Sequence, residues 1–266
     1  MILTEASLLR DLLDSRLAIS FPNFRSQAES SDPLGLVYPY SRREDAEVVA
    51  LLASSLAYGQ RKVFVPLVSR ILKEMGHSPY DFVMSSGYKS KFDWFKYRFN
   101  IPEDLWCLFH ATRQVLNCFG SLESAFIIDA EHVGSIGLPL GSFVNSFRSV
   151  DFSSLGVSAS GTPGFRYLLP DPSLGGACKR LNMFLRWMVR KDSVDLGLWS
   201  GLRLSDLIVP LDTHVHHVSK KLGLTDRNGS TWATASSITN SLKLLDPVDP
   251  LKYDFLLFSM GVGNEL

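Results

Sequence analysis

Cysteines are scarce in this chain, and their spacing gives them no obvious partners. Only three occur in 266 residues, Cys107, Cys118 and Cys178, and no two of them form a C-x-x-C pair. This usage predicts neither a disulfide framework nor a zinc ribbon and is typical of a reducing compartment. Three cysteines also fall short of the four that hold a common iron–sulfur cluster. We therefore expect a cytoplasmic protein that carries no cofactor.

Long apolar runs and the signatures of several enzyme classes are missing as well. No stretch of about 18 apolar residues occurs, so the sequence predicts no membrane-spanning segment and no membrane partner. The first 16 residues carry Glu5, Asp11 and Asp14 where a secretory signal would be apolar. The G-x-S-x-G, Walker and dinucleotide-binding motifs are absent. We expect a soluble monomer that belongs to none of these classes.

Net charge is absent too. Lysine and arginine together number 27, as do aspartate and glutamate, so the whole chain does not attract nucleic acid by bulk charge. The distribution is uneven, however. Between Ser160 and Thr225, nine basic residues stand against five acidic ones, which gives a local net charge of +4 and leaves −4 for the remainder. This balance is consistent with a phosphate-facing surface, although an ordinary solvated face has a similar one.

What the sequence does contain is helical periodicity, with no strand-like alternation and no internal repeat. The expected fold class is therefore all-α, with two helical lobes and a cleft. We place the lobes at 1–40 plus 225–266, and at 41–224, within a single unit of 1–266. With 45% hydrophobic residues, the chain is long enough to build a substantial core.

Apolar spacing and capping residues predict most of the helices. Ser41-Arg42-Arg43-Glu44 has the spacing of a capping box in front of a helix from Asp45 to Tyr58, which is apolar enough to be buried on most sides. The polar segment between Asn23 and Pro39 is interpreted as a linker. Further helices are expected at Leu3–Ala18, Val63–Met75, Asn100–Gly120, Leu122–His132, Pro139–Ser149 and Lys252–Gly261, and a crossing between lobes at Asp151–Gly164.

The segment from Leu168 to Lys221 carries most of the residues that could do chemistry. A turn rich in proline and glycine ends at Gly175 and Gly176, where we expect backbone N–H groups to be available to a ligand. An amphipathic helix from Ala177 to Lys191 follows this turn. A second helix, Thr213–Leu222, begins directly after a buried apolar run.

Two residues at the starts of these helices suggest a nucleophile and its partner. Lys179 lies in the first turn, where the positive end of the helix dipole and the nearby Arg180 and Arg186 disfavour its ammonium form. A neutral amine is the nucleophile of Schiff-base chemistry, and it needs a carboxylate that accepts a proton or stabilises a developing cation. Asp212, just before the second helix, is the candidate. The structural alternative is that Lys179 is solvated and Asp212 merely caps its helix.

The basic residues of the first helix form a line along one side. At 100° per residue, Lys179, Arg186 and Arg190 fall within about 20° of one another, and the apolar residues take the opposite side. We therefore expect an exposed basic face that continues the line of Lys179. The same arginines could instead stabilise the C-terminus of their helix through its dipole.

These pieces together resemble the helix-hairpin-helix DNA glycosylase superfamily, which includes endonuclease III and the archaeal 8-oxoguanine glycosylases. The matching pieces are Leu169-Pro170, Gly175-Gly176, Lys179 and Leu211-Asp212-Thr213-His214-Val215. The aspartate segment matches closely, whereas the hairpin is divergent. Lys179 and Asp212 are 33 positions apart, a separation more similar to that of the archaeal enzymes than to that of endonuclease III. The expected cleft would lie at this hairpin.

The resemblance implies a function and a mechanism. The implied activity is base excision from double-stranded DNA that carries a damaged base, for example an oxidised one, with an associated lyase activity at the abasic site. Lys179 would attack the sugar C1′ as the base departs. Asp212 would help to deprotonate Lys179 and would stabilise the oxocarbenium-like transition state. The implied site contains no metal.

The resemblance also implies a set of phosphate contacts. The hairpin at Gly175 and Gly176 would hold a phosphate through its N–H groups. Arg180, Arg186 and Arg190 would add positive charge beside it. Together these residues form the implied surface for the DNA backbone.

Two further side chains are candidates for contacts with bases. The turn Tyr58-Gly59-Gln60 resembles the glycosylase turn that pushes a polar side chain into the DNA stack, so Gln60 is the candidate wedge. Trp187 is the candidate for stacking on an extruded base. The structural alternatives are an ordinary polar turn and a tryptophan of the core.

The chain as a whole also resembles a bacterial family marked by three segments. These are ACKRLNMFLRWMVR at Ala177–Arg190, PLDTHV at Pro210–Val215 and YDFLLF at Tyr253–Phe258. The resemblance extends over nearly the whole sequence. It implies an activity only through the more distant glycosylases.

Two other functions remain open. A nucleic-acid-binding module could keep the glycosylase fold after its chemistry has lapsed, and it would then bind DNA without forming a covalent adduct. His214, His216 and His217 instead suggest a metal-dependent phosphohydrolase, which needs paired histidine and aspartate ligands. Apart from Asp212, however, no carboxylate or cysteine stands at ligand spacing from these histidines.

Overall fold

A computed structural model of the chain describes residues 3–89, 91–128 and 136–263. Within these ranges the backbone forms twelve α-helices and four short 3-10 helices. The extended pairings in the same ranges are three isolated bridges, with no strand. None of the helices described there is both long and apolar enough to cross a membrane. The predicted all-α class is confirmed.

The chain forms two compact units. The terminal unit consists of Met1–Ala28 and Pro172–Leu266, and the central unit consists of Glu29–Asp171. The lobes predicted from the sequence, at 1–40 plus 225–266 and at 41–224, divide the chain at other points. In the structure the helices that follow Lys179 and Asp212 belong to the same unit as the first and last helices, because they pack on the last helix.

The helices run as follows in chain order. They are α1 (Leu3–Ser31), α2 (Arg43–Leu56), α3 (Arg61–Met75), α4 (Pro79–Met84), α5 (Pro102–Phe119), α6 (Leu122–Ile127), α7 (Gly137–Arg148), α8 (Pro163–Leu168), α9 (Lys179–Val189), α10 (Thr213–Lys221), α11 (Trp232–Leu245) and α12 (Asp254–Gly263). α2 to α8 lie in the central unit and α9 to α12 in the terminal unit. α1 begins in the terminal unit.

α2 is a buried helix of the central unit, as predicted. Every residue from Asp45 to Leu56 is buried. The predicted capping box in front of it is wrong. The N-cap residue is Arg42, and its side chain makes no capping bond. Its guanidinium pairs with Glu44 and Asp81, so the carboxylate that would complete the box is already engaged.

The linker predicted between Asn23 and Pro39 is wrong in its first half. α1 continues to Ser31 because Phe24 and Ala28, one helical turn apart, are both buried and extend its apolar side. The Phe24 ring lies 4.9 Å from that of Phe255 on α12. Packing in the terminal unit therefore stabilises a stretch whose composition alone favours a loop.

The remaining predicted helices are confirmed, and α3, α5, α7 and α12 match to within two residues at each end. α6 ends at Ile127, and most of its predicted extension to His132 lies outside the described residues. Asp151–Gly164 does not cross between units but lies within the central unit, where Phe152 is buried against Phe165. α4, α8 and α11 were not anticipated.

A buried polar network ties together three segments of the central unit. Asp104, in the first turn of α5, accepts hydrogen bonds from the Asn100 side chain at 2.7 Å and from the backbone N–H of Ile101 at 2.9 Å. Its other oxygen accepts a bond from the hydroxyl of Thr162, just before α8. A Cβ at Gly164 would overlap the Asp104 carboxylate and lie 2.6 Å from the Asn100 amide nitrogen. Three partners hold this carboxylate, so it cannot easily move aside.

Replacing Gly164 by alanine should therefore lower the free energy of unfolding by about 2 kcal/mol, the cost typical of overpacking a buried site. The control is Gly87→Ala, where the new Cβ would meet only Ser85 Oγ at 3.5 Å, an ordinary contact. That variant should stay within about 0.5 kcal/mol of the wild type. Urea unfolding measures both. Equal stability of the two variants would show that the Asp104 network tolerates a Cβ.

Candidate active site

Lys179 and Asp212 meet in the terminal unit. The Lys179 Nζ donates a hydrogen bond to Asp212 Oδ2 at 2.9 Å across the 33 positions that separate them in sequence. The lysine side chain is 35% exposed and the aspartate side chain 15% exposed. The two candidate catalytic residues are therefore in direct contact, and one of them can still be reached from solvent. The alternative of a merely solvated Lys179 is wrong.

Asp212 also caps its helix, so the structural alternative for this residue is confirmed alongside the pair. Its Oδ1 accepts a bond from the backbone N–H of Val215 at 2.9 Å, which satisfies one of the N–H groups that the first turn of α10 leaves open. The two oxygens thus have separate partners. The capping bond orients the carboxylate, and Oδ2 faces the lysine.

The backbone around both residues is held firmly. Cys178, the N-cap of α9, has a φ of 47°, in the left-handed region that favours glycine, and makes no side-chain capping bond. The Asn182 side chain, which is buried, donates to the carbonyl of Ala177 at 3.0 Å and secures this entry into α9. Before α10, the buried Val209 donates its N–H to Thr239 Oγ1 on α11 at 3.0 Å. Lys179 and Asp212 thus follow fixed stretches of backbone.

The glycine turn in front of α9 is exposed but uses part of its hydrogen-bonding capacity internally. Gly175 donates its N–H to the carbonyl of Pro172 at 2.9 Å and accepts a bond from Trp232 N–H at 2.9 Å. Gly176 forms an isolated antiparallel bridge with Thr231. The expected phosphate contact through the Gly175 N–H is therefore not available in this arrangement, whereas Gly176 stays a candidate.

The expected exposed basic face of α9 is wrong. The side chains of Arg186 and Arg190 are only 6% and 11% exposed. Arg180 is buried as well. The helical-wheel pattern separates the two sides of α9 correctly, but acidic residues from other segments cover the basic side. The alternative role of these arginines, an interaction with the helix dipole, is not their main interaction either. Arg186 and Arg190 are both paired with carboxylates.

Arg186 joins α9 to α12 and to the loop that follows α9. Its Nε donates to Asp195 Oδ1 at 3.2 Å, and its Nη1 donates to Asp254 Oδ2. Both carboxylates are buried. Because each ion is removed from water, the pairs are stable only as long as all three partners are present.

Arg190 extends the same arrangement. It binds Asp249 in a bidentate manner, with Nη2 2.8 Å from Oδ2 and Nε 3.0 Å from Oδ1. Its Nη1 donates to Asp192 at 2.7 Å and to Asp195 at 2.8 Å. We call the six residues that these bonds connect the ion network: Arg186, Arg190, Asp192, Asp195, Asp249 and Asp254.

The ion network is coupled electrostatically to the Lys179–Asp212 pair. Burial raises the pKa of Asp254, and the negative charge of Asp212 adds to this effect, while Arg186 and Lys179 oppose it. Burial likewise raises the pKa of Asp195 to about 6, against the influence of Arg186 and Arg190. Asp254 is therefore a residue of the ion network on which the charges of both Lys179 and Asp212 act.

Sequence reasoning did not single out Asp195 or Asp254. Asp254 lies within the apolar segment Tyr253–Phe258, and a charged residue in such a segment is a signal that it is buried with a partner. Asp195 carried no comparable signal, because it follows the helix in a short polar loop.

Trp187 and Gln60 do not join the candidate catalytic pair in the way expected. Trp187 is completely buried, so the expected base pocket around its ring is wrong and the core alternative is confirmed. Its indole Nε1 has no hydrogen-bond partner among the described residues. Gln60 is the exposed N-cap of α3, in the central unit, and makes no side-chain capping bond. Its role as a wedge stays a prediction.

Two of the three histidines of α10 lie next to backbone carbonyls. His214 Nδ1 lies 3.3 Å from the carbonyl oxygen of Gly261, and His216 Nε2 lies 2.9 Å from that of Arg227. In the described part of the chain, no three histidine, cysteine, aspartate or glutamate side chains are grouped so that they could hold a metal ion. The phosphohydrolase alternative thus gains no support from these residues.

One comparison with known proteins gives a match. The model of a protein family described as "Protein of unknown function (DUF2400)" matches residues 32–263. No curated protein and no solved structure matches the chain. The matched range begins at the end of α1 and includes Lys179, Asp212 and the whole ion network.

The ion network yields a stability prediction. Replacing Arg186 by methionine should destabilise the protein by about 3–5 kcal/mol near neutral pH, because Asp195 and Asp254 would stay buried without this cation. The matched control is Arg203→Met, since the Arg203 side chain is 77% exposed in its pair with Asp206. That change should leave the unfolding midpoint close to that of the wild type, because a solvent-exposed ion pair adds little stability. Urea unfolding of the two variants measures the difference.

The Arg186→Met variant should recover part of its stability in acid. Arg186 lowers the pKa of both Asp195 and Asp254, so without it these carboxyls take up protons at higher pH. In the unfolded chain they stay ionised down to about pH 4. The folded variant then binds more protons than the unfolded chain, and its deficit should narrow between about pH 7 and about pH 5. A deficit that widens in this window would contradict the assignment.

Proposed function

The chain belongs to the family described as "Protein of unknown function (DUF2400)", and we propose that it is a base-excision DNA glycosylase with an associated lyase activity. Lys179 would be the nucleophile and Asp212 its proton acceptor. The observation that carries the proposal is their 2.9 Å contact at the starts of α9 and α10. The resemblance of these two segments to the helix-hairpin-helix glycosylases supports it.

The geometry fits the first proton transfer. An ammonium group is not a nucleophile, so Lys179 must lose a proton before it attacks. Asp212 Oδ2 already accepts a hydrogen bond from the Lys179 Nζ and can take that proton without any rearrangement. The capping bond to Val215 holds the other oxygen, so the carboxylate keeps its orientation during the transfer.

The covalent step then follows. The Lys179 Nζ lone pair forms a bond to C1′ of the damaged nucleotide, the glycosidic bond breaks, and its electron pair leaves with the base. The proton that Asp212 accepted goes to the departing base, so Asp212 regains the negative charge that stabilises the cationic C1′. Asp212 then takes a proton from the adduct nitrogen and passes it to O4′ as the C1′–O4′ bond breaks, which gives an imine and permits elimination of the 3′ phosphate.

The proposed DNA contacts change in the light of the structure. Arg186 and Arg190 belong to the ion network, so they position α9 rather than bind phosphate. The exposed backbone at Gly176 and the exposed side chain of Gln60 remain the proposed contacts. The proposed substrate is double-stranded DNA with a damaged base.

A borohydride trapping experiment tests the nucleophile. Incubation with duplexes that contain an abasic site or 8-oxoguanine should give a covalent protein–DNA adduct, because reduction makes the imine permanent. Lys179→Gln should abolish the adduct. The control is Lys220→Gln. Lys220 is an exposed lysine of the same unit, and its side chain is hydrogen-bonded to Asn228. The Lys220→Gln protein should still form the adduct.

The outcomes of this experiment separate the candidate functions. Trapping that persists in a folded Lys179→Gln protein would remove Lys179 from its role. If the wild type binds the duplexes but forms no adduct with either lesion, the protein is a binding module without the proposed chemistry.

A second prediction concerns Asp212. Asp212→Asn should slow trapping by about a hundredfold or more and leave DNA affinity nearly unchanged, since asparagine cannot accept the proton. Asparagine caps helices about as well as aspartate, so stability should change little. Asp212→Ala loses the cap too and should cost about 1 kcal/mol more of unfolding free energy. If the asparagine variant reacts at the wild-type rate, Asp212 acts only as a cap.

A further inference from the structure

Three aromatic rings form a cluster at the surface of the central unit. The Phe99 ring centroid lies 4.6 Å from that of Tyr167 and 6.0 Å from that of Tyr58, and the Tyr58 and Tyr167 centroids lie 5.1 Å apart. Phe99 is 51% exposed and Tyr167 is 42% exposed. Large rings usually lie in the core, so a group of them at the surface is a feature that the fold alone does not explain.

Hydrogen bonds to buried residues hold the cluster in place. Tyr58 follows α2, Phe99 precedes α5 and Tyr167 lies on α8, so three separate segments must be fixed relative to one another. The Tyr58 hydroxyl donates to the Asn100 side chain, which in turn donates to Asp104 at 2.7 Å. Tyr58 is therefore anchored to the buried polar network described above, and the rings of Phe99 and Tyr167 pack against its ring.

The backbone beside the cluster is also unusual. Arg98 has a φ of 55°, in the left-handed region that is costly for a residue with a side chain. Arg98 and Phe99 are both exposed, and the Arg98 guanidinium carbon lies 6.0 Å from the Tyr58 ring centroid. Backbone strain of this kind persists where the surroundings hold it and is common at binding sites.

The short segments that carry the rings are basic in sequence. The rings lie on the segments Tyr58–Lys62, Lys96–Asn100 and Arg166–Tyr167, which contain five basic residues and no acidic one. The basic residues are Arg61, Lys62, Lys96, Arg98 and Arg166. A ligand that fits both features must offer flat faces for stacking and negative charge close by.

We propose that Tyr58, Phe99 and Tyr167 form a platform on which unpaired bases of a nucleic acid stack, with Arg98 and its basic neighbours on the phosphates. Every base has a face that stacks on an aromatic ring, and cations along the backbone complete such sites. Proline-rich peptides also dock on exposed aromatic rings, but they do not require five cations. The platform goes beyond the proposed lysine chemistry and does not depend on it.

The direct test compares three nucleic-acid probes of equal length. A fluorescently labelled single-stranded pyrimidine oligonucleotide of about 12 nucleotides should bind the full chain, as measured by anisotropy. An oligonucleotide with the same phosphates but abasic sugars should bind at least about tenfold more weakly, because it offers nothing to stack. The corresponding duplex, whose bases are already stacked, should also bind more weakly than the single strand.

Variants then locate the site. Phe99→Ala should weaken binding of the single strand by about tenfold, and Phe99→Trp should restore it. The matched control is Leu138→Ala, which truncates another exposed apolar residue of the central unit and should have no effect. Arg98→Gln should reduce the slope of log affinity against log salt by about one, as expected for one lost phosphate contact. Lys220→Gln, which removes an exposed cation of the terminal unit, should bind the single strand as the wild type does.

Three results would overturn the inference. Equal affinity for the pyrimidine and abasic oligonucleotides would mean that charge alone binds the strand. Unchanged affinity of the folded Phe99→Ala variant would mean that any binding occurs elsewhere. Displacement of the bound strand by a proline-rich peptide at lower concentration than by an unlabelled oligonucleotide would assign the platform to a peptide instead. A failure of borohydride trapping would leave these results unaffected.

Discussion

The position of α9 depends on two arginines that are taken out of water. Arg186 and Arg190 reach carboxylates in the loop after α9, in the segment before α12 and on α12 itself. An isolated buried ion costs several kcal/mol, so these segments have to assemble together or not at all. One side of α9 is held by apolar packing, as in an ordinary helix. The ion network holds the other side. It sets the place and the rotation of the helix that begins at Lys179.

This constraint explains how a pair 33 positions apart in sequence comes into contact. α9 cannot rotate without separating Arg186 from Asp254, and α12 packs against α10, whose N-cap is Asp212. The lysine and its carboxylate thus belong to helices that are tied to the same third helix. Such preorganisation is what a proton transfer followed by nucleophilic attack requires, since neither group has to be reoriented during the reaction.

The sequence predicts the helices and the catalytic candidates better than it predicts their surroundings. Lys179 and Asp212 could be found because each lies at a helix start, where local signals are strong. The burial of Arg186 could not be predicted in the same way. A helical wheel shows that it lies opposite the apolar side, but not that Asp254, 68 positions later, covers it. The aromatic cluster of Tyr58, Phe99 and Tyr167 likewise comes from three distant segments. None of these segments has a recognisable motif of its own.

In the proposed reaction, the Lys179 amine forms the covalent bond to the sugar. The most direct measurement is peptide mapping by mass spectrometry of the borohydride-reduced protein–DNA adduct, after digestion of both the protein and the DNA. We expect a single modified peptide with the reduced sugar on Lys179 Nζ. A modification on another lysine or on the N-terminal amine, with Lys179 unmodified, would contradict it.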